Sequence, residues 1–133
     1  MRFKPMEHHL KNTMLTFILL LTLPALVVAE SVTSYSCIYP LYSTIDGGPK
    51  SPDKEFKLIF IIDGDKSYIT GNNAAAEVML IPSKDKISFI EITKAFNLST
   101  TTITNKLDSV HSRNTVIAGE IVASQYYGSC EAR

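Results

Sequence analysis

The feature that most constrains this chain is a period of two, repeated between turns at short and regular spacing. "FKLIFIID" sets Phe56, Leu58, Phe60 and Ile62 on one face, and Lys57, Ile59, Ile61 and Asp63 on the other. The first face is wholly apolar and the second is apolar only in its middle, as in a strand partly covered on both sides. "KISFIEIT" (86–93) alternates in the same way, and "STTTITN" (99–105) is dense in β-branched residues, which are stiff in a helix and pack well on a pleated surface. "TSYSCIY" (33–39) supplies an opening strand. "TVIAGEIVASQYY" (115–127) is the longest β-type run, and Gly119 within it reads as a bulge or bend that re-aims one long strand.

Turns separate these runs. "DGDK" (63–66) is a hairpin signal, because Asp-Gly supplies the positive φ angles that tight turns need. "TIDGGPKSPDK" (44–54) reads as a loop, and "GNN" (71–73), "PSKDK" (82–86) and "NKLDS" (105–109) complete the series. "NNAAAEVMLI" (72–81) is ambiguous: its alanines favour a helix that Asn73 could cap, while Val78–Ile81 and the flanking turns favour a strand, the reading adopted here. The expectation is an all-β antiparallel meander of about seven or eight strands, closed as a small barrel or stacked as a two-sheet sandwich.

A different pattern precedes this domain. Arg2, Lys4 and Lys11 are followed by the apolar run Met14–Leu23, by Pro24, and by the small residues Val27-Val28-Ala29 ahead of Glu30. That order is the order of a secretory signal peptide, a helix removed by cleavage, so residues 1–29 are set apart from a single β domain over 30–133. A membrane anchor is the alternative, but the apolar stretch is short for a span of about 20 residues and contains a proline. No stable membrane anchor is expected after cleavage, and the protein is expected to be periplasmic or secreted.

Without the leader's Arg2, Lys4, Lys11 and Glu7, thirteen charges of each sign become ten Lys/Arg and twelve Asp/Glu, a net charge of −2 with histidine neutral. No run of like charges offers a surface to nucleic acid or anionic lipid. Cys37 and Cys130 are the two cysteines, one near each end. In an exported chain an even pair reads as a disulfide, closing a loop for which chain entropy would contribute roughly 4–5 kcal/mol.

The chemistry-bearing residues are few. His111 is the one histidine outside the leader, so any histidine mechanism must use it. No G-x-S-x-G elbow accompanies it, and both thiols are spoken for by the disulfide. A hydrolase using His111 is therefore an alternative, set beside a role at a strand end with Ser112 and Arg113, hydrogen-bonding across the sheet. One histidine makes no zinc site, and "DGDKS" fails as a calcium loop, with Tyr68 where glycine is needed and Ala74 where a glutamate is needed. "DGGPKS" is no phosphate loop, since Pro49 interrupts its Gly-Lys step. No metal and no cofactor is expected. Asn97-Leu98-Ser99 forms a glycosylation sequon, relevant in a eukaryotic host alone. Six tyrosines remain: Tyr35, Tyr39 and Tyr42 surround Cys37, Tyr126 and Tyr127 precede Cys130, and Tyr68 stands apart. Five should gather around the disulfide, as aromatic cover for a seam or as a recognition surface. Arg113, Tyr126 and Tyr127 are the candidate binding residues.

"TTTIT", "VHSR" and "SQYYGSC", in this order and at these distances, resemble the C-terminal half of a group of small uncharacterised exported bacterial proteins. The resemblance covers about residues 86–131. It implies bacterial export and a single domain, and brings no activity and no catalytic residues with it. The expected role is non-enzymatic binding of a protein partner or a small apolar ligand, the ligand lying inside if the sheet closes as a barrel. The alternative is a protease inhibitor or envelope protector that presents a loop such as 44–54 to its target.

Overall fold

A computed structural model describes residues 32–71 and 74–133; the expected leader and the Asn72-Asn73 pair lie outside the described residues. Among the described residues nine strands run in chain order: β1 (Thr33–Thr44), β2 (Gly47–Lys50), β3 (Lys57–Asp63), β4 (Lys66–Thr70), β5 (Ala76–Pro82), β6 (Lys86–Ile92), β7 (Leu98–Thr104), β8 (Asp108–Ile117) and β9 (Glu120–Ala132). All pairings are antiparallel, and β1 pairs with β9 as well as with β3, so eight strands close into a barrel with β2 as a short flap on β1. The sandwich alternative is thereby excluded. Closure removes the open edges that a meander of this length would otherwise expose.

Local sequence accounts for most of these elements. In β3, Leu58 and Phe60 are buried while Ile59 and Ile61 are half-covered on the outside, as the alternation requires. Asp63 pairs with Lys66 across a two-residue loop in which Gly64 takes φ +60°, the hairpin expected of "DGDK". Of the segment 72–81, ambiguous between helix and strand, residues 76–81 belong to the strand β5. The loop expected over 44–54 holds β2, whose Lys50 pairs with Tyr42.

The longest run departs from expectation. Residues 115–127 are not one bent strand: Ile117 pairs with Glu120, and Ala118-Gly119 (φ +52° and +86°) form the connecting turn between β8 and β9. Positive φ at both central positions marks the primed turn whose twist matches flanking strands. Gly119 adopts it freely; Ala118 does so against its Cβ. The alternation 115–117 and 120–123 continues in phase across such a turn, so a hairpin and a strand share one apolar pattern.

The interior is filled by side chains. Tyr39, Phe60, Phe89, Ile103, Thr101 and Cys37 are the largest fully buried residues, and Phe60 stacks on Phe89 with ring centroids 4.5 Å apart. Burying each large apolar side chain stabilises the fold by about 1.5–3 kcal/mol. An eight-stranded barrel is just wide enough for this filling. Cys37 and Cys130 face each other in the β1–β9 ladder and are joined by the disulfide, with Cα atoms 3.9 Å apart and a sequence separation of 93.

One residue makes closure possible without having drawn attention in the sequence. The β1–β9 register shifts between Ile38 and Leu41, and there β1 crosses close over β9 at Gly128. A Cβ at Gly128 would collide with the Ile38 carbonyl and lie 2.9 Å from the Tyr39 Cα, so no larger residue fits without moving backbone.

Candidate functional site at the hairpin end

Residues directly opposite in an antiparallel ladder share a face, which lets the inner wall be read as rows. One row runs Phe89, Thr101, His111, Tyr126, Tyr42 across β6, β7, β8, β9 and β1. The next row toward the β8–β9 turn runs Glu91, Ser99, Arg113, Ser124, Thr44 on the same strands. The first row is core and the second is the mouth of the barrel.

His111 belongs to the core row. It lies in the body of β8, not at a strand end, and is 3% exposed. Its Nδ1 is 2.7 Å from the Thr101 hydroxyl on the neighbouring strand, so the expected hydrogen bond across the sheet is present. Tyr39, Phe56 and Tyr126 surround the ring at centroid distances of 6.0, 5.7 and 6.0 Å. Burial, with a smaller contribution from the Arg113 charge, pushes its pKa down to about 4. The imidazole is thus neutral at pH 7. The hydroxyl it contacts belongs to Thr101, itself 2% exposed, so a substrate has no route to the pair in this geometry. The arrangement satisfies two buried polar groups with each other. Nearby, the Tyr39 hydroxyl bonds to Ser109 Oγ at 2.9 Å, and burial raises its pKa to about 12.

The other sequence-selected residues separate. Tyr126 faces inward, stacked on Tyr42 at 5.5 Å and packed on Phe56 at 4.4 Å. Tyr127 faces outward, its hydroxyl donating to Gln125 Oε1 at 2.8 Å and lying 3.3 Å from Ser43 Oγ. Consecutive residues of a strand point to opposite faces, so the pair cannot act together. The five tyrosines do not gather around the disulfide; they are strung along the β1–β9 ladder from Tyr35 to Tyr42 and Tyr126. Asn97 of the sequon is engaged: its Oδ1 accepts from the Val116 N–H at 3.1 Å, tying the β6–β7 turn to the β8–β9 hairpin.

Arg113 stays exposed in the mouth row, between buried Ser99 and half-buried Ser124. The single ion pair among the described residues joins Arg133 to Glu131 at 3.5 Å, so Arg113 and the half-buried Glu91 of the same row are both unpaired.

What the sequence reading missed surrounds this mouth. Val116, Ile117, Ile121 and Val122 of the β8–β9 hairpin are 45–67% exposed, on both faces of the ribbon. Phe96 in the β6–β7 turn is 90% exposed, and Ile92, Leu98 and the Ile45 tip of the β1–β2 hairpin are exposed beside it or at the same end. The apolar residues placed symmetrically around Ala118-Gly119 were the available signal. Two open depressions are present among the described residues. One, of about 700 Å³, lies along β5 and includes Met79, Leu80 and Ile90; the other, of about 330 Å³, lies at the mouth and includes Thr44, Arg113 and Ser124 together with Ser112 and Gln125. Comparison of the chain with protein-family models, with curated proteins and with solved structures returns no match.

Proposed function

We propose that this protein is a non-enzymatic interaction module of the bacterial envelope, periplasmic or secreted, that docks onto a partner protein through the hairpin end of its barrel. The observation that carries this reading is the β8–β9 tip, where four aliphatic side chains stand in solvent beside Phe96. Single exposed apolar residues are ordinary, but a contiguous set on one end marks an interaction surface. A disulfide between the first and last strands is consistent with an oxidising compartment. The hydrolase alternative gains no support from a neutral His111 whose one hydroxyl contact is buried with it.

A second reading is favoured by one specific feature. The loop segment 44–54 belongs to the same end, and Ile45 at its tip is 74% exposed. An inhibitor or envelope protector would insert this end into a target cleft. Both readings are tested by placing a photo-crosslinking residue at Ile117 in the exported protein and irradiating living cells. A discrete adduct is expected from position 117, and none from Thr102 on the outer wall toward the opposite end. Equal labelling from both positions, or none from 117, would end the proposal. Intact mass of the exported form should show a start at Glu30 and no free thiol.

A further inference from the structure

The mouth row carries a charge that nothing in the fold uses. Arg113 belongs to the inner row of β8, with Ser99 on β7 and Ser124 on β9 directly opposite it in the ladder and Thr44 one strand further; Thr44, Arg113 and Ser124 line the same depression. Serine and threonine side chains are too short to fill the space around an arginine fork, and each offers a hydroxyl. No carboxylate of the described residues pairs with it. The nearest acid in its own row is Glu91, two strands away or roughly 10 Å at ordinary strand spacing, with Ser99 between them. An unpaired arginine whose ladder neighbours are serines matches a carboxylate, which accepts two parallel hydrogen bonds from a guanidinium fork and further ones from neighbouring hydroxyls. The position matters as much as the charge. Arg113 sits where the hairpin leaves the barrel wall, since β8 last pairs with β7 at Asn114 and β9 last pairs with β1 at Ser124, and the apolar tip at Ile117 lies four residues further on.

We infer that Arg113, with Ser99 and Ser124, takes the carboxylate of an acidic side chain on the protein that docks over the β8–β9 hairpin. This rests on the docking reading above and adds the chemistry of its anchor: a mainly apolar contact with one acid aimed into the mouth. A mixture of apolar contact and arginine is the composition of interface hot spots. Glu91, at the far side of Ser99, repels a carboxylate on that side and so fixes which way the acid enters.

The test uses the exported, disulfide-bonded protein labelled for NMR and two probes, acetyl-Leu-Glu-Leu-amide and acetyl-Leu-Gln-Leu-amide, with acetate and inorganic phosphate as free anions. The glutamate peptide is expected to shift the Arg113 Nε–H and the amides of Ser99 and Ser124 saturably, and to bind about tenfold more tightly than the glutamine peptide. Arg113→Gln should abolish that difference while the hairpin amides still respond to both peptides. Arg113→Lys, which keeps the charge and loses the fork, should retain only part of it. Equal affinity for the two peptides, or a difference that survives Arg113→Gln, overturns the inference. Acetate or phosphate binding as tightly as the glutamate peptide overturns the assignment to a partner's side chain. If both peptides shift the hairpin equally and leave Arg113 untouched, the acid site falls and the docking surface stands. If neither peptide shifts the hairpin, both fall.

Discussion

The two sides of this barrel are held in different ways. On one side β8 and β9 pair without interruption from Asp108 with Ser129 to Ile117 with Glu120, and β9 then pairs with β1 under the Cys37–Cys130 disulfide. On the other side β5 hands over between neighbours: Ala76–Val78 pair with β4 alone, and Met79–Pro82 pair with β6 alone. No residue of β5 is paired on both sides. Yet β5 is as apolar as any strand in the chain. Ladder continuity, not hydrophobicity, separates the two sides, and the hairpin that carries the proposed docking surface grows from the continuous one. Rigid presentation of an exposed apolar tip needs such a base, since an isolated two-stranded hairpin is marginal in water.

The strongest way to break this comparison is at Gly128. Gly128→Val would drive a side chain into the β1 backbone at Ile38 and Tyr39, and should cost about 4–5 kcal/mol in urea denaturation. A variant that melts with the parent would show that the close crossing does not fix closure. Removing the clasp with Cys37→Ser and Cys130→Ser should cost about 2–5 kcal/mol and bring amide protection in β1 and β9 down toward that of β5.

Acid acts on the strong side through His111. Its pKa is lowered from 6.5 to about 4 in the folded protein, so the unfolded chain binds the extra proton first as pH falls. Stability is therefore full above pH 6.5, falls between 6.5 and 4, and loses about 3 kcal/mol over that window from this group. His111→Gln should flatten that part of the urea-midpoint profile; an unchanged slope would place the acid sensitivity in the carboxylates instead. On the weak side, the amides of Met79–Ile81 should be among the first of the strands to exchange with deuterium. Met79→Thr, on the exposed face of β5, should shift stability by no more than about 0.5 kcal/mol. A larger shift would mean that the seam contributes more than its pairing suggests.

Most of the strands were legible because their causes are local. The alternation in 56–63 and 86–93, the Asp-Gly turn at 63–66 and the β-branched run at 99–105 each state a backbone preference within a few residues. The hairpin at Ala118-Gly119 was not legible, because alanine rarely adopts positive φ and nothing in "VIAGEIV" says that it does here. At the site, His111 was recognised as the one histidine, and its bond across the sheet was anticipated. Its burial inside three aromatic rings was not, since Tyr39 and Phe56 lie more than fifty residues away in sequence. Tyr126 and Tyr127 were legible as strand neighbours, but which of them faces the core depends on register.

Sequence alone determined that this chain forms antiparallel strands of alternating character, and that Cys37 and Cys130 are suited to each other as partners. These follow from side-chain period, turn chemistry and cysteine parity, all local or counted properties. Tertiary structure alone decided that the meander closes, because a barrel and a sandwich share the same period of two. Closure in turn decided which face became the inside. It made His111 a neutral core residue and left Arg113, two residues later on the same face, at the mouth without a counter-charge. Burial and charge pairing are properties of the closed sheet, and no single strand contains them.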